Sequence, residues 1–149
     1  MLNRKLALIL ILLTGFSFAS DAQCDKKFKL KAERAYELNN DSTEGQSIPV
    51  AGEITISKDS ILVLMNWQNG GTTEVKGIHT KVVCRMNNGY TEGSIDLATD
   101  AEITAQGKTN KSKMVFKIES KDGNMKVFGS PESGNDKICF VIKDRQEIH

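Results

Sequence analysis

The chain has 149 residues, with 20 Lys and Arg against 19 Asp and Glu, three Cys, and 39% hydrophobic residues. This balance excludes a multidomain enzyme, a polytopic membrane protein, a disulfide-dense miniprotein and a strongly basic nucleic-acid-binding protein. It does not by itself indicate a reaction or a ligand.

The first 22 residues have the pattern of a secretory signal peptide. Arg4 and Lys5 form a short positive start, and a mainly apolar run over residues 6–19 follows. The run is shorter than the about 20 apolar residues that span a membrane. Small residues up to Ala22 then predict cleavage after that residue, with no transmembrane segment afterwards. We therefore expect a secreted, periplasmic or cell-envelope protein; the alternatives are an uncleaved anchor helix and lipidation at Cys24, whose preceding triplet fits that signal poorly.

Residues 23–149 read as a single β domain. Ile, Val and Thr outnumber Leu and Ala there, and branching at Cβ disfavours helix and suits a pleated strand. The strands predicted in the first half are residues 28–38, 51–57 and 60–67. In the first of them, a period of two that runs through Tyr36 and Leu38 favours strand over a short helix. A polar loop is predicted over residues 39–47. Ser60 to Trp67 is apolar on both faces, which predicts a central, doubly buried strand.

The second half continues the alternation. Its predicted strands are residues 73–86, 94–103, 114–118, 125–128 and 138–142. In the first of these, Ile78, Val82 and Cys84 are expected to face the core with Met86. Asn88-Gly89 predicts a type I′ hairpin turn, and Asp122-Gly123 is a second hairpin signal. Longer loops are predicted at residues 105–112 and 129–136.

The fold class that follows is all-β. About eight strands are joined by connections that are mostly too short for crossover helices, so neighbouring strands should be antiparallel. Successive hairpins favour a meander barrel, and a two-sheet β-sandwich is the alternative.

A family resemblance appears over residues 113–143. The segments Lys-Met-Val-Phe-Lys-Ile, Lys-Asp-Gly-Asn-Met-Lys-Val-Phe-Gly and Lys-Ile-Cys-Phe-Val-Ile resemble the closing hairpins of small secreted lipocalin-like domains of bacteria. The Gly-x-Trp motif of lipocalins is absent near Phe28, and the one Trp, Trp67, is far from that position. The resemblance implies a lipocalin-like barrel and leaves a ligand open.

The three Cys allow at most one internal disulfide, which the oxidising environment outside the cytoplasm favours. Closure of a barrel between its first and last strands would bring Cys24 near Cys139, and we rank this pair above Cys84–Cys139. Cys84 is otherwise expected to be an ordinary buried side chain.

Residues for catalysis are scarce. His79 is interpreted as a solvated strand residue, and the spacing of the Cys and His residues disfavours a metal site. Asp100 and Glu102 share a strand face about 7 Å apart, which leaves a glycan-acting enzyme as a remote alternative. We expect no enzyme activity, no cofactor, no metal and no nucleic-acid partner.

The sequence supports two candidate functions. In the first, the barrel binds a small apolar ligand through inward residues: Met65, Trp67, Met86, Phe116, Met125 and Phe140. In the second, these residues fill the barrel, and the polar loops 39–47 and 129–136 contact an unidentified protein partner. An open apolar interior of a few hundred Å³ would favour the first function.

Overall fold

The computed structural model describes residues 24–149, so the predicted signal peptide lies outside the described residues. The described chain forms nine β-strands, which confirms the all-β prediction. The strands are β1 (Lys27–Leu38), β2 (Glu44–Ile48), β3 (Val50–Ile56), β4 (Ser60–Trp67), β5 (Thr72–Met86), β6 (Gly93–Ala105), β7 (Lys108–Lys121), β8 (Asn124–Pro131) and β9 (Lys137–Ile148). No helix within this part of the chain is long and apolar enough to cross a membrane.

Eight of the strands close into an antiparallel barrel. Each strand from β3 to β9 pairs with the next, β3 pairs with β1, and β1 pairs with β9 to close the ring. The meander barrel is therefore confirmed and the two-sheet sandwich is wrong, because one sheet closes on itself. β2 lies outside the ring and pairs only with the C-terminal part of β1. It includes residues 44–47, the second part of the predicted polar loop.

The hairpin turns alternate between the two ends of the barrel. The disulfide end carries residue 24, the C-terminus and the turns at residues 57–59, 87–92 and 122–123. The opposite end carries the turns at residues 39–43, 68–71, 106–107 and 132–136. β8 extends to Pro131, so the predicted loop over 129–136 is shorter than expected.

Positive φ angles show which turn predictions hold. Asp122 and Gly123 both have positive φ, as a type I′ turn requires. Asn88-Gly89 does not form such a turn, because the positive φ angles lie at Tyr90 and Gly93 instead. A Cβ on Gly93 would collide with the carbonyl oxygen of Arg85, so the backbone there requires glycine. The loop predicted after residue 105 is a two-residue turn, and β7 begins at Lys108.

Register shifts change which side chains face the interior. The β1–β9 ladder has one shift between Lys31 and Ala32 and another between Ala32 and Arg34. Beyond the second shift, Ala35 rather than Tyr36 belongs to the core cluster. In β5 the shift between His79 and Lys81 lets Met86 face the core while Ile78, on the other side of the shift, faces outward. Each bulge adds one residue to a strand whose faces alternate with a period of two. The expected inward positions of Tyr36, Leu38 and Ile78 are therefore wrong, and Ile78 is 63% exposed.

Burial in β4 follows one face only. Ile61 and Val63 are buried, whereas Leu62 and Leu64 on the other face are half-buried. The prediction of a doubly buried central strand is wrong, because in a closed barrel only the interior face is covered completely.

Aromatic rings of β7 and β9 fill part of the interior. A Cβ on Gly52 would lie 3.0 Å from the ring of Phe140, and one on Gly129 would lie 3.0 Å from the ring of Phe116. Both rings are buried. The absence of a side chain at Gly52 leaves room for the ring of Phe140, and its absence at Gly129 leaves room for the ring of Phe116. This part of the barrel is packed with side chains.

A candidate ligand-binding cavity

A cavity of about 350 Å³ opens at the disulfide end of the barrel. Its apolar wall comes from strands on opposite sides of the ring, so the cavity lies inside the barrel. The inward-facing residues in this wall are Leu30, Ile56, Ile95, Leu97, Ile118 and Met125. All but Met125 are aliphatic branched side chains without polar atoms. The interior is therefore apolar below the mouth.

The mouth of the cavity is polar. It is formed by the segment before β1, with Asp25 and Lys26, and by the β3–β4 turn, with Lys58 and Asp59. Lys26 forms an exposed ion pair with Glu147, 3.1 Å between Nζ and Oε2. A ligand in the cavity would thus meet an apolar interior and a mixed-charge rim.

A disulfide between Cys24 and Cys84 holds the segment before β1 against β5, with 6.2 Å between the two Cα atoms. Both residues line the cavity. The predicted pairs with Cys139 are wrong for a geometric reason. Antiparallel pairing of β1 with β9 places Lys27 opposite Ile148 and Tyr36 opposite Cys139, so Cys139 lies toward the other end of the barrel. The bond also uses the Cys24 sulfur that a lipid modification would require.

Cys139 is a buried free cysteine on the outer side of the ring. Burial raises the pKa of its thiol above the ordinary value. The neighbouring Tyr36 is also buried, and burial together with a hydrogen bond to Cys139 raises its pKa to about 12. Both groups are therefore neutral near pH 7, which makes the thiol unreactive.

Tyr90 closes part of the disulfide end. Its side chain is 3% exposed although it belongs to a turn, and its ring lies edge-on to Phe28 with 4.6 Å between centroids. The carbonyl oxygen of Tyr90 accepts hydrogen bonds from Ser120 Oγ and from Arg145 Nη1, each at 2.8 Å. Burial is the main reason that its phenol pKa is raised. Tyr90 thus forms a fixed wall of the cavity, where it meets Phe28.

Arg145 fastens this wall from β9. Besides Tyr90, its guanidinium donates to the carbonyl oxygen of Gly89 at 3.1 Å. The guanidinium carbon lies 5.7 Å from the ring centroid of Phe28 and 5.9 Å from that of Tyr90, within the range of cation–π attraction. The last strand therefore orders the loop over residues 87–92.

His79 orders the other side of the mouth. Its backbone N–H donates to the carbonyl oxygen of Asp59 at 2.9 Å, and its ring Nε2 lies 3.2 Å from the carbonyl oxygen of Ser57. A carbonyl only accepts, so Nε2 carries the proton. Nδ1 is buried without a hydrogen-bond partner within residues 24–149. The expectation of a solvated His79 is wrong: it is half-buried and supports the β3–β4 turn.

The structure places the six predicted lining residues in different surroundings. Met65, Met86, Phe116, Met125 and Phe140 are buried in the core, and Trp67 is half-buried with its Nε1 donating to Thr73 Oγ1 at 3.0 Å. Only Met125 lines the cavity. The other five belong to the packed interior or to its edge.

Sequence reasoning did not identify Phe28, Tyr90, Arg145 or the Cys24–Cys84 bond as parts of the site. The one usable signal was Tyr90, an aromatic residue inside an otherwise polar turn segment. The bond depends on how the segment before β1 crosses the barrel mouth, which no local pattern records.

Asp100 and Glu102 lie on the outer face of β6, away from the cavity. They share an open depression with Lys76, Lys111 and Lys113. Glu102 pairs with Lys111 at 3.6 Å, and both side chains are exposed. No group of three or more His, Cys, Asp or Glu suited to a metal ion occurs in the described part of the chain.

The chain has no significant match among models of protein families, among curated proteins or among solved structures.

Proposed function

We propose that this is an exported β-barrel protein that binds a small, mainly apolar molecule in the cavity at its disulfide end. The observation that carries the proposal is the cavity of about 350 Å³, which is polar at its mouth and lined by apolar side chains inside the ring. Small-molecule sites range over about 300–1,000 Å³, so the volume suits a compact ligand. The polar rim suits a molecule with one polar end that remains near solvent. The Cys24–Cys84 disulfide supports export, because such bonds persist in oxidising compartments.

Two features support a preformed site. Phe28 and Tyr90 are held by Arg145 and Ser120, and the β3–β4 turn is held by His79. A wall that is ordered before binding costs little conformational entropy when the ligand enters.

The alternative of a protein-interaction module has weaker support. Its expected signature is a contiguous apolar patch. Among residues 24–149, the large apolar side chains that are exposed are Ile78, Val82 and Val115, and each lines a different depression of the surface. Val82 belongs to the cavity mouth, where an apolar ligand would cover it.

A fluorescence titration tests the proposal. The neutral apolar probe N-phenyl-1-naphthylamine should bind saturably to residues 23–149 in the oxidised state. Val82→Phe places a larger side chain in the mouth and should weaken binding by about tenfold or more, since the ring would occupy ligand space. Ile78→Phe is the matched control, because Ile78 is on the same strand and points outward.

Two results would overturn the proposal: absence of saturable binding, or equal weakening by both substitutions. Native mass spectrometry of protein from its own source adds an independent check. A small molecule that co-purifies reproducibly and is lost in Val82→Phe would support the cavity site. A measured mass equal to that of the protein alone in every preparation would count against it.

A further inference from the structure

A second depression, of about 680 Å³, lies on the outside of the barrel and is separate from the cavity. Strand register defines it. Ala98 of β6 pairs with Val115 of β7, which pairs with Ser130 of β8. The adjacent row brings Phe128 of β8 beside Lys117. These side chains face outward, because Leu97 and Phe116 next to them face the core. We call this depression the outer groove.

The floor of the outer groove is apolar. Ala98 and Val115 are directly paired, and Val83 and Phe128 lie diagonally beside them at the two ends of the neighbouring row, which also holds Asp96 and Lys117. Val115 is 37% exposed. Neighbouring strands lie about 4.8 Å apart, so the floor runs for about 14 Å across three strand spacings. Charged rows flank the Ala98–Val115 pair, Asp96 with Lys117 on one side and Asp100 with Lys113 on the other, so the strip is narrow and suits one extended chain rather than a protein surface.

One end of the outer groove is polar and cationic. Lys137, at the start of β9, lies there with Ser42 of the β1–β2 turn and Ser130 of β8. Across residues 24–149, Lys137 has no ion-pair partner and neither serine hydroxyl has a hydrogen-bond partner. Ser130 is nevertheless only 8% exposed. This end therefore presents one free cation and two free hydroxyl donors beside an apolar strip.

The acidic groups along the outer groove are already paired. Asp96 accepts from Arg85 at 3.1 Å, and Glu119 pairs with Lys117. The remaining charges are Lys137 and, at the far end on β5, Lys81. In a symmetric dimer that pairs two outer grooves, each copy would bring its free lysines to the contact and no unpaired carboxylate to meet those of the other copy. Self-association through this groove is therefore not favoured.

We propose that the outer groove binds a single-chain fatty carboxylate, with the carboxylate at Lys137, Ser42 and Ser130 and the alkyl chain along Phe128, Val115 and Ala98. The carboxylate accepts hydrogen bonds from the lysine and the two hydroxyls. The alkyl chain covers the apolar strip and removes it from water. This ligand differs from the cavity ligand, because it requires an anionic head and an extended tail. The proposal is independent of the cavity function.

The experiment is an NMR titration of the oxidised protein with decanoate below its micelle concentration. We expect saturable shifts of the amides of Ala98, Val115 and Ser130, with weaker binding of 1-decanol. Val115→Asp puts a carboxylate into the floor and should weaken decanoate binding by about tenfold or more, because an anion would have to be desolvated beside it. Ile78→Asp, on the exposed outer face away from the groove, should leave it unchanged.

The position of the head is tested separately. Lys137→Gln should weaken decanoate binding by about two- to fivefold, the worth of one exposed ion pair, and leave 1-decanol unaffected. Lys81→Gln should change neither.

Three outcomes would overturn the proposal: decanol binding as tightly as decanoate, loss of affinity at Lys81 rather than Lys137, or binding only to vesicles of anionic phospholipid and not to monomeric decanoate. Val82→Phe separates the two sites, since it should weaken probe binding in the cavity and leave the decanoate shifts at the outer groove intact.

Discussion

At the scale of single residues, His79 makes stability depend on pH. Burial, the main cause, lowers the pKa of its imidazole below the ordinary 6.5. Asp59, the charged group facing it, acts in the opposite direction. The unfolded chain therefore binds the proton more readily than the folded chain. The contribution is fully present above about pH 6.5 and is lost as the pH falls toward the lowered value.

We expect urea unfolding to show a lower midpoint at about pH 5 than at about pH 7.5, with His79 supplying part of the difference. His79→Gln keeps a side-chain N–H donor for Ser57 but does not titrate, so its pH dependence should be smaller than in the unchanged protein. His149→Gln is the control, because the exposed C-terminal His149 has no such environment. Identical pH profiles for His79→Gln and the unchanged protein would show that the imidazole is not responsible.

At the scale of the elements, the alternation of apolar and polar residues predicts the strands. It does not always predict which side chains of a strand face the barrel interior. β6 has no bulge, and its inward residues Ile95, Leu97 and Ala101 match the sequence pattern. β1 and β5 each contain a register shift, and beyond it the faces exchange. A bulge is stabilised by contacts with neighbouring strands, so the sequence of one strand does not reveal it. Tyr36 and Ile78 were misplaced for this reason.

The segment before β1 is an element whose position depends on one covalent bond. The Cys24–Cys84 disulfide closes a loop with a sequence separation of 60 residues. The chain-entropy model assigns about 4 kcal/mol to a loop of this length, and measured values are typically about 2–4 kcal/mol. Cys24→Ser with Cys84→Ser should lower the free energy of unfolding by about that amount in urea. Cys139→Ser, which keeps a partner for Tyr36, should cost less.

Thiol labelling checks the pairing itself. Without reductant the native protein should not react with Ellman's reagent, because Cys139 is fully buried and its thiol pKa is raised. In urea one thiol per chain should react, and peptide mapping should place the label on Cys139. A label on Cys24 or Cys84 would mean that the assigned bond is wrong.

At the scale of the whole molecule, the sequence led to the barrel but not to its interior. Hairpin spacing and short connections indicate a meander, and closure follows from eight strands. Whether the interior is open depends on which side chains share a layer. Phe140 lies against Gly52 and Phe116 against Gly129, which fills one part. Aliphatic residues such as Ile56 and Leu97 line the other part, where the cavity lies. These pairings arise from register across the ring, which no single segment contains.

Closure of the ring determines which backbone amides are protected from hydrogen exchange. A closed barrel has no edge strand, so the amides of β1 and β9 should be as protected from hydrogen exchange as those of β5 and β6. β2 lies outside the ring, and one of its edges is unpaired within residues 24–149. Its outward amides should exchange first, by local opening, whereas ring amides wait for global unfolding. Exchange measured by NMR distinguishes the cases. If the β1–β9 ladder exchanged well before the β5–β6 ladder, the barrel would be opening at its seam. Arg145, which reaches Tyr90 from β9, would then not hold the cavity wall in place.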